Sequence, residues 1–297
     1  MATPLSAAAV LAALRAEGVR VVEVGDWRTH NRNSKGPWGG VNGSIVHHTV
    51  TKGTATTVSI CRNGYADLPG PLCHGVIAKD GQVHMVGWGR ANHAGGGDPR
   101  VLEQVTAESY TTRPSAPTKG NSNGVDGNAH FYGWECENLG DGKDPWPAAQ
   151  YDAIVRVQAA LCRAHGWSAK SVIGHLEWSS DKIDPRGFAM ADLRADVAER
   201  LTHPASWSPG SSTTTTPSTT PSEEDPMAGM TREQIYDAVW RTDRMTPPEG
   251  RATKDNPTWA AESVLRDAAS YATRAEAAAT RIEKALAEIT KLITKES

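Results

Sequence analysis

The segment GHLEWSSDKIDP, at residues 174–185, holds three side chains with the chemistry of a catalytic cluster: His175, Lys182 and Asp184. Imidazole and carboxylate groups are suitable zinc ligands, and an ammonium group can stabilise negative charge that develops during a reaction. The apolar residues SVIG precede His175. They predict a short strand that ends at this histidine, with Asp184 on the loop that follows.

Two further histidine motifs lie upstream. In NGSIVHHTVT, at residues 42–51, a buried strand is predicted to end at His47 and His48. Adjacent residues on a strand face opposite sides, so only one of the pair can easily face a given site. RANHAGGGD presents His93 on a glycine-rich loop. Taken alone, such a strand-end pair is more often structural, and a lone loop histidine is usually solvated.

Two carboxylates alternate with apolar residues in YGWECENLG, at residues 132–140. Glu135 and Glu137 are separated by one residue, so a strand would place both on one face. An edge strand with a solvated face explains them without any function. A face directed at a metal ion explains them better, because carboxylates in an apolar strand are costly to bury without a partner.

Three other segments define the elements around these motifs. LCHGVIAKDGQVHMVGWG predicts a hairpin with an Asp80-Gly81 turn. PAAQYDAIVRVQAALCRAHG predicts an amphipathic helix that ends at Gly166. The start, MATPLSAAAVLAALRAEG, has no basic residue before its apolar run, which favours an amphipathic helix over a secretory signal.

Bulk composition excludes several classes. The formal net charge of the 297 residues is −3, so no basic field is available to hold nucleic acid. No apolar run is long enough to span a membrane. The four cysteines form no CxxC pair, which argues against a zinc knuckle or a thioredoxin-like motif. Reduced thiols are expected, and a Cys61–Cys73 bridge stays open.

The chain changes character after residue 204, before which all ten histidines and all four cysteines lie. We therefore predict a catalytic domain at residues 1–204. A Ser/Thr/Pro-rich linker is predicted at 205–226, and a separate helical module at 227–297. An apolar heptad seam from Leu265 to Ile293 indicates either self-association or packing on the shorter preceding helix.

Met227 and Met230 follow the acidic residues SEEDP. Purine-rich codons for these acidic residues could form an internal ribosome-binding site, and translation from either methionine would give a shorter product that assembles with the full chain. Methionines that merely follow an acidic linker are the simpler explanation.

IVHHT, ANHAG, GWECEN and GHLEWSSDKIDP, in this order, resemble the zinc-dependent N-acetylmuramoyl-L-alanine amidases, whose fold is shared with peptidoglycan-recognition proteins. The resemblance covers about residues 20–204. With the linker and C-terminal module, the chain is most similar to an endolysin of a phage that infects an actinobacterium. This resemblance implies that the module at 227–297 serves cell-wall binding, oligomerisation or both. The implied fold is α/β, a mixed central sheet flanked by helices, followed by a small all-α module with a coiled-coil-like helix.

The resemblance implies roles residue by residue. His47, His175 and Asp184 match the three ligands of one Zn²⁺ ion, which leaves the fourth position for water, as in catalytic zinc sites. Glu135 matches the glutamate that activates this water. Lys182 matches the lysine that stabilises the oxyanion.

Four more residues receive supporting roles. His93 and Trp178 are predicted to bind substrate, and His48 and Glu137 are predicted to support the metal ligands from outside. One position departs from the pattern: certain phage relatives carry a catalytic tyrosine where this chain has Cys73. The departure favours Glu135 as the base.

The implied reaction is cleavage of the amide between N-acetylmuramic acid and L-alanine of bacterial peptidoglycan. The enzyme would be made in the host cytoplasm without a signal peptide and would act on the cell wall after release, during host lysis. Two alternatives stay open: a peptidoglycan-binding module without catalysis, and a zinc hydrolase of other amides.

Overall fold

A sheet of six strands lies at the centre of the computed structural model, which describes residues 2–208. The predicted C-terminal helices, the heptad seam and the internal start at Met227 or Met230 lie outside the described residues. The strands are β1 (Arg20–Glu23), β2 (Gly43–His48), β3 (Gly75–Ile77), β4 (Gln82–Met85), β5 (Gly96–Gly97), β6 (Val125–Asp126), β7 (Phe131–Cys136) and β8 (Val172–Gly174).

The central sheet has the order β1-β4-β3-β7-β2-β8, and β5 and β6 form a separate two-stranded ribbon. All neighbours in the central sheet are parallel except β3 and β4, which form the predicted hairpin. Gly81 occupies its turn with a φ of 80°, a left-handed conformation that glycine adopts without strain. The sheet is therefore mixed, as predicted.

Helices cover both faces of this sheet. They are α1 (Ala7–Ala16), α2 (Thr54–Asn63), α3 (Pro99–Thr106), α4 (Ala148–His165), α5 (His175–Trp178) and α6 (Met190–Leu201). Apolar residues of α1, α4 and α6 pack in one cluster with Val46 and Trp134 of the sheet. On the other face, α3 and α5 pack with Ile45 and Phe131, and α2 packs with Val76.

The alternation of side chains along β2 and β7 decides which residues face which helices. Val46 and Trp134 belong to the cluster around α4, whereas Ile45 lies on the opposite face. Because the side-chain period of a strand is two, His47 shares the face of Ile45 and His48 turns to the face of Val46. This confirms that the two adjacent histidines face opposite sides.

The first and the longest helix form as the sequence predicts. Ser6 caps α1 by accepting a hydrogen bond from the backbone N–H of Ala9, and the helix buries Val10, Leu11 and Leu14. α4 ends at Gly166, whose φ of 70° places it in the left-handed region that terminates helices. The N-terminal segment is thus an amphipathic helix within the fold. No helix among residues 2–208 is long and apolar enough to cross a membrane.

A buried carboxylate joins α1 to the two other helices of its layer. Glu17 accepts hydrogen bonds from Arg163 Nε at 2.7 Å and from Arg200 Nε at 2.6 Å. Without these partners, burial of its charge would be costly. Beyond α6, Trp207 stacks on His203 with ring centroids 4.1 Å apart. Ordered contacts therefore continue past residue 204, where the linker was expected to begin.

Candidate metal centre

The strand register brings three site residues to one edge of the sheet. His47 on β2 is paired with Glu135 on β7. Val46 is paired with Gly174, the last residue of β8, so His175 emerges beside His47. The three strands are parallel, and their carboxyl ends therefore meet at the same edge, the usual location of sites in such sheets.

Asp184 completes the cluster from the loop after α5. Its backbone carbonyl accepts a hydrogen bond of 2.7 Å from the N–H of Leu176, next to His175. The loop is also held from the opposite face of the sheet. There, the N–H of Arg186 donates to His48 Nδ1 at 3.2 Å. His48 thus contacts the loop of a candidate ligand without contacting the cluster itself.

Three ligand atoms meet at the centre of the cluster. His47 Nδ1 lies 2.9 Å from His175 Nδ1, and each of these atoms lies 3.2 Å from Asp184 Oδ2. Tetrahedral zinc with bonds near 2.0–2.1 Å places its ligand atoms about 3.3 Å apart. The three atoms therefore fit one zinc ion. They are the one group of ligand-bearing side chains within residues 2–208 whose donor atoms lie this close together, all within 4.8 Å of one another.

The outward-facing nitrogen of each histidine is also engaged. His47 Nε2 lies 3.2 Å from His93 Nδ1, and His175 Nε2 lies 3.1 Å from the carbonyl oxygen of Ala94. Histidine ligands in metal sites normally hold such an outer partner, which fixes the ring and its tautomer. The donor set and its surroundings thus both match a metal centre.

Electrostatics favour the ligand forms of these groups. Burial, together with the neighbouring His175, lowers the pKa of His47 to about 4, so this imidazole is neutral at pH 7. Burial alone would raise the pKa of Asp184. The hydrogen bonds to His175 and His47 outweigh it and hold that pKa well below its usual range. A neutral imidazole beside an ionised carboxylate is the combination that binds a divalent cation.

Glu135 carries the most unusual carboxylate of the site. Its Oε2 atom is buried and has no hydrogen-bond partner among the described residues. Burial and the nearby charge of Asp184 raise the pKa of Glu135 to about 8, and the charge of Lys182 partly opposes this increase. A carboxyl group with a pKa near neutrality can both accept and donate a proton, as general acid–base catalysis requires, and a cation held by the three ligands would lower this pKa and favour the proton-accepting form.

Lys182 is partly exposed beside this group. Within residues 2–208 its ammonium makes no hydrogen bond or ion pair, and its charge lowers the pKa of both His47 and Glu135. A cation without a committed partner beside the cluster is available to a substrate oxyanion.

Three predicted roles need correction. Trp178 is 0% exposed, packs on Phe131 with ring centroids 5.0 Å apart, and donates from Nε1 to the carbonyl of Ala94 at 3.1 Å. It belongs to the core under the site and has no surface for a substrate. His93 is 7% exposed, and both of its ring nitrogens have protein partners, His47 and Phe131. It therefore does not present a free polar atom to a substrate.

The third correction concerns Glu137, which does not contact the metal ligands. Its carboxylate accepts hydrogen bonds from the N–H of Gly53 at 2.8 Å and the hydroxyl of Thr54 at 2.7 Å. These groups lie at the first turn of α2, where free N–H groups and the helix dipole favour an anion. Glu137 shares the face of Glu135, as predicted, but it caps a helix.

Two sets of hydrogen bonds that support the site were not predicted from the sequence. Asn128 Oδ1 accepts from the backbone N–H groups of His93 at 2.9 Å and Ala94 at 2.8 Å. Arg194 donates two hydrogen bonds, of 2.7 and 2.8 Å, to the carboxylate of Glu177 in α5. Both sets join residues that are far apart in the chain and carry no local spacing signal.

Comparison with known protein families identifies the family of this chain. The Amidase_2 family, described as N-acetylmuramoyl-L-alanine amidase, matches residues 37–187, just over half of the 297 residues. The chain therefore belongs to this family, and the enzyme class is that of the peptidoglycan amidases. A sequence search of curated proteins finds no match.

Among solved structures, the fold is similar to the endolysin amidase LysCS from Clostridium intestinale, at 16% identity and a TM-score of 0.39, over 60% of this chain and 95% of that one. It is also similar to the hydrolase AmiA from Staphylococcus aureus, at 11% identity and a TM-score of 0.40, over 68% of this chain and 93% of that one. A third similar structure is the Escherichia coli amidase AmiD, at 14% identity and a TM-score of 0.39, over 56% of this chain and 60% of that one.

Proposed function

We propose that this protein is a zinc-dependent hydrolase that cleaves the amide between N-acetylmuramic acid and L-alanine of peptidoglycan. The single observation that carries the proposal is the triangle of His47 Nδ1, His175 Nδ1 and Asp184 Oδ2, with sides of 2.9, 3.2 and 3.2 Å. The unpartnered Oε2 of Glu135 lies on the neighbouring strand. Membership of the amidase family supports the choice of bond.

His47, His175 and Asp184 would hold one zinc ion. When bound, zinc would act as a Lewis acid and would lower the pKa of a water molecule from about 16 to near 7. Glu135 takes the proton from the attacking water and then delivers it to the departing alanine nitrogen, which balances the hydrolysis. The ammonium of Lys182 stabilises the negative charge on the former carbonyl oxygen, a contribution of about 3–4 kcal/mol for a single lost donor in comparable sites.

The wider role that we propose is host lysis by a bacteriophage of an actinobacterium. The Ser/Thr/Pro-rich residues 205–226 and the module at 227–297 support an insoluble substrate, because a tethered second binding site raises the effective concentration of the enzyme at a surface. We propose that the enzyme acts on the cell wall after release from the cell interior.

Self-association through the heptad seam at residues 265–293, with or without a shorter product starting at Met227 or Met230, belongs to the same proposal. Intact mass spectrometry of the protein expressed from its native gene tests the shorter product. A second species starting at either methionine supports it. If the wild type and a Met227→Ile, Met230→Ile double variant both give only a single full-length species, the shorter product is contradicted.

The test of function is digestion of purified actinobacterial cell wall, followed by mass spectrometry of the soluble products. The proposal predicts stem peptides with a free N-terminal L-alanine and intact glycan chains, lost with a zinc chelator and restored by zinc. Binding to the wall without release would favour a recognition module. Hydrolysis of small amides without release of stem peptides would favour a different zinc hydrolase.

A further inference from the structure

One loop contacts the outer nitrogens of both candidate histidine ligands. The side chain of His93 meets His47 Nε2 at 3.2 Å, and the carbonyl of the next residue, Ala94, meets His175 Nε2 at 3.1 Å. Asn128 holds this loop through its hydrogen bonds to both backbone N–H groups. The loop therefore contacts both ligands. It contacts His47 through the side chain of His93 and His175 through a main-chain carbonyl.

The last acceptor in this series of contacts, a main-chain carbonyl, determines which nitrogen donates in each hydrogen bond. His93 Nε2 lies 3.1 Å from the carbonyl oxygen of Phe131, which can only accept, so this nitrogen carries the proton. In a neutral ring His93 Nδ1 is then an acceptor. His47 Nε2 must donate to it, which leaves the lone pair of His47 on Nδ1, the atom that faces His175 and Asp184.

We propose that His93 is a positioning residue that fixes the tautomer and ring orientation of His47 for metal binding. This inference rests on the proposed zinc site and assigns to His93 a role through His47, not contact with the substrate. His175 receives the same constraint from the main-chain carbonyl of Ala94. His93 is thus the one of these two outer partners that a substitution can remove.

The surroundings of His93 are built to hold its ring in this place. A Cβ atom at Gly133 of β7 would lie 2.3 Å from Cγ of His93, so this strand position is glycine where the ring crosses it. The ring of His74 also packs against His93, with centroids 5.6 Å apart. With these two contacts and only 7% exposure, the ring of His93 is held inside the fold.

Two substitutions separate the hydrogen bond from the packing. His93→Asn keeps an acceptor, the amide oxygen, near the position of Nδ1. His93→Leu keeps apolar volume and removes the acceptor. Val101→Ala, at a buried position of α3 outside the ligand triangle and its hydrogen-bond partners, is a control for lost packing. The readout is the zinc dissociation constant, measured by competition with a chelating dye.

The expected result is a 10–100-fold weaker zinc affinity for His93→Leu, the range typical for loss of an outer partner of a histidine ligand. His93→Asn is expected to stay within a few-fold of the wild type, and Val101→Ala to be unchanged. Wild-type affinity in His93→Leu, or equal losses in His93→Leu and His93→Asn, overturns the proposal. If the wild type itself binds no zinc, it is the proposed function that fails.

The same proposal can be tested on the wild-type protein, so the result does not depend on whether a variant folds. Long-range ¹H–¹⁵N correlation spectra of the histidine rings report which nitrogen carries the proton. The proposal predicts the Nε2–H tautomer for both His93 and His47. A proton on Nδ1 of His47 in the zinc-loaded protein overturns it.

Discussion

His47 and Glu135 are paired residues on neighbouring parallel strands, and both side chains face the same side of the sheet. This pairing places the first candidate ligand beside the candidate base, with no loop between them. Because strands hold side chains more rigidly than loops, the distance between ligand and base is set by the sheet itself. The third ligand, Asp184, comes from a loop, and its position depends on the contacts that hold that loop.

Asp184→Ala is expected to remove the only carboxylate of the ligand triangle. Zinc affinity should fall by more than the 10–100-fold typical for an outer partner, and release of stem peptides should be lost with it. Metal analysis after dialysis measures the first effect. Asp67→Ala, on an exposed loop, is the matched control and should keep its zinc. A zinc content near one per chain in Asp184→Ala contradicts this ligand assignment.

Glu135→Gln preserves the shape of the side chain and removes its basicity. Turnover is expected to fall about 10²–10⁴-fold, the usual contribution of a general base, while the zinc content stays at the wild-type level. Glu103→Gln, an exposed glutamate of α3, is the control and should leave turnover unchanged. If Glu135→Gln turns over like the wild type, another group takes the proton.

Lys182→Ala should separate charge stabilisation from metal binding. The ammonium has no ion-pair partner within residues 2–208, so its loss is not expected to disturb the fold. The turnover number should drop about 10²–10³-fold with unchanged zinc content. Lys52→Ala, at an exposed lysine, provides the comparison. Unaltered turnover in Lys182→Ala would remove its catalytic role.

The buried ring of His74 predicts how stability depends on pH. Burial lowers its pKa from 6.5 to about 4, although hydrogen bonds with Gly89 and Gly133 partly oppose the decrease. Between these two pH values the unfolded chain binds a proton that the folded protein excludes. The contribution of His74 to the free energy of unfolding is therefore fully present above pH 6.5. It falls as the pH decreases toward 4, by up to about 3 kcal/mol.

Urea denaturation of the metal-free protein at a series of pH values measures this effect. His74→Asn keeps an acceptor for the N–H of Gly133 but does not titrate, so its stability should change less steeply over the same interval. Equal pH dependence in wild type and His74→Asn would show that this ring does not contribute.

The parts of the site that the sequence predicts are those set by local patterns. Strand alternation separates His47 from His48, and the end of a short apolar strand locates His175. The hairpin turn at Gly81 and the helix end at Gly166 follow from the backbone freedom of glycine. Each of these predictions depends on residues within one element.

The roles that were wrong depend on contacts between elements. Trp178 lies in a motif with the candidate ligands, but its ring is buried in the core. The neighbouring two-stranded ribbon leaves space for this ring because Gly97 has no side chain: a Cβ there would lie 2.1 Å from it. Glu137 follows Glu135 by two residues, yet the free N–H of Gly53 is the group that meets it. Only the tertiary packing decides these partners.

Zinc analysis combined with mass spectrometry of digested cell wall, on one preparation, tests most directly whether this protein is a zinc-dependent amidase. Such an enzyme should hold one zinc per chain and show zinc-dependent release of stem peptides that begin with L-alanine. Release of such peptides from a preparation that holds no zinc, or a zinc-loaded protein that leaves this amide intact, would contradict it.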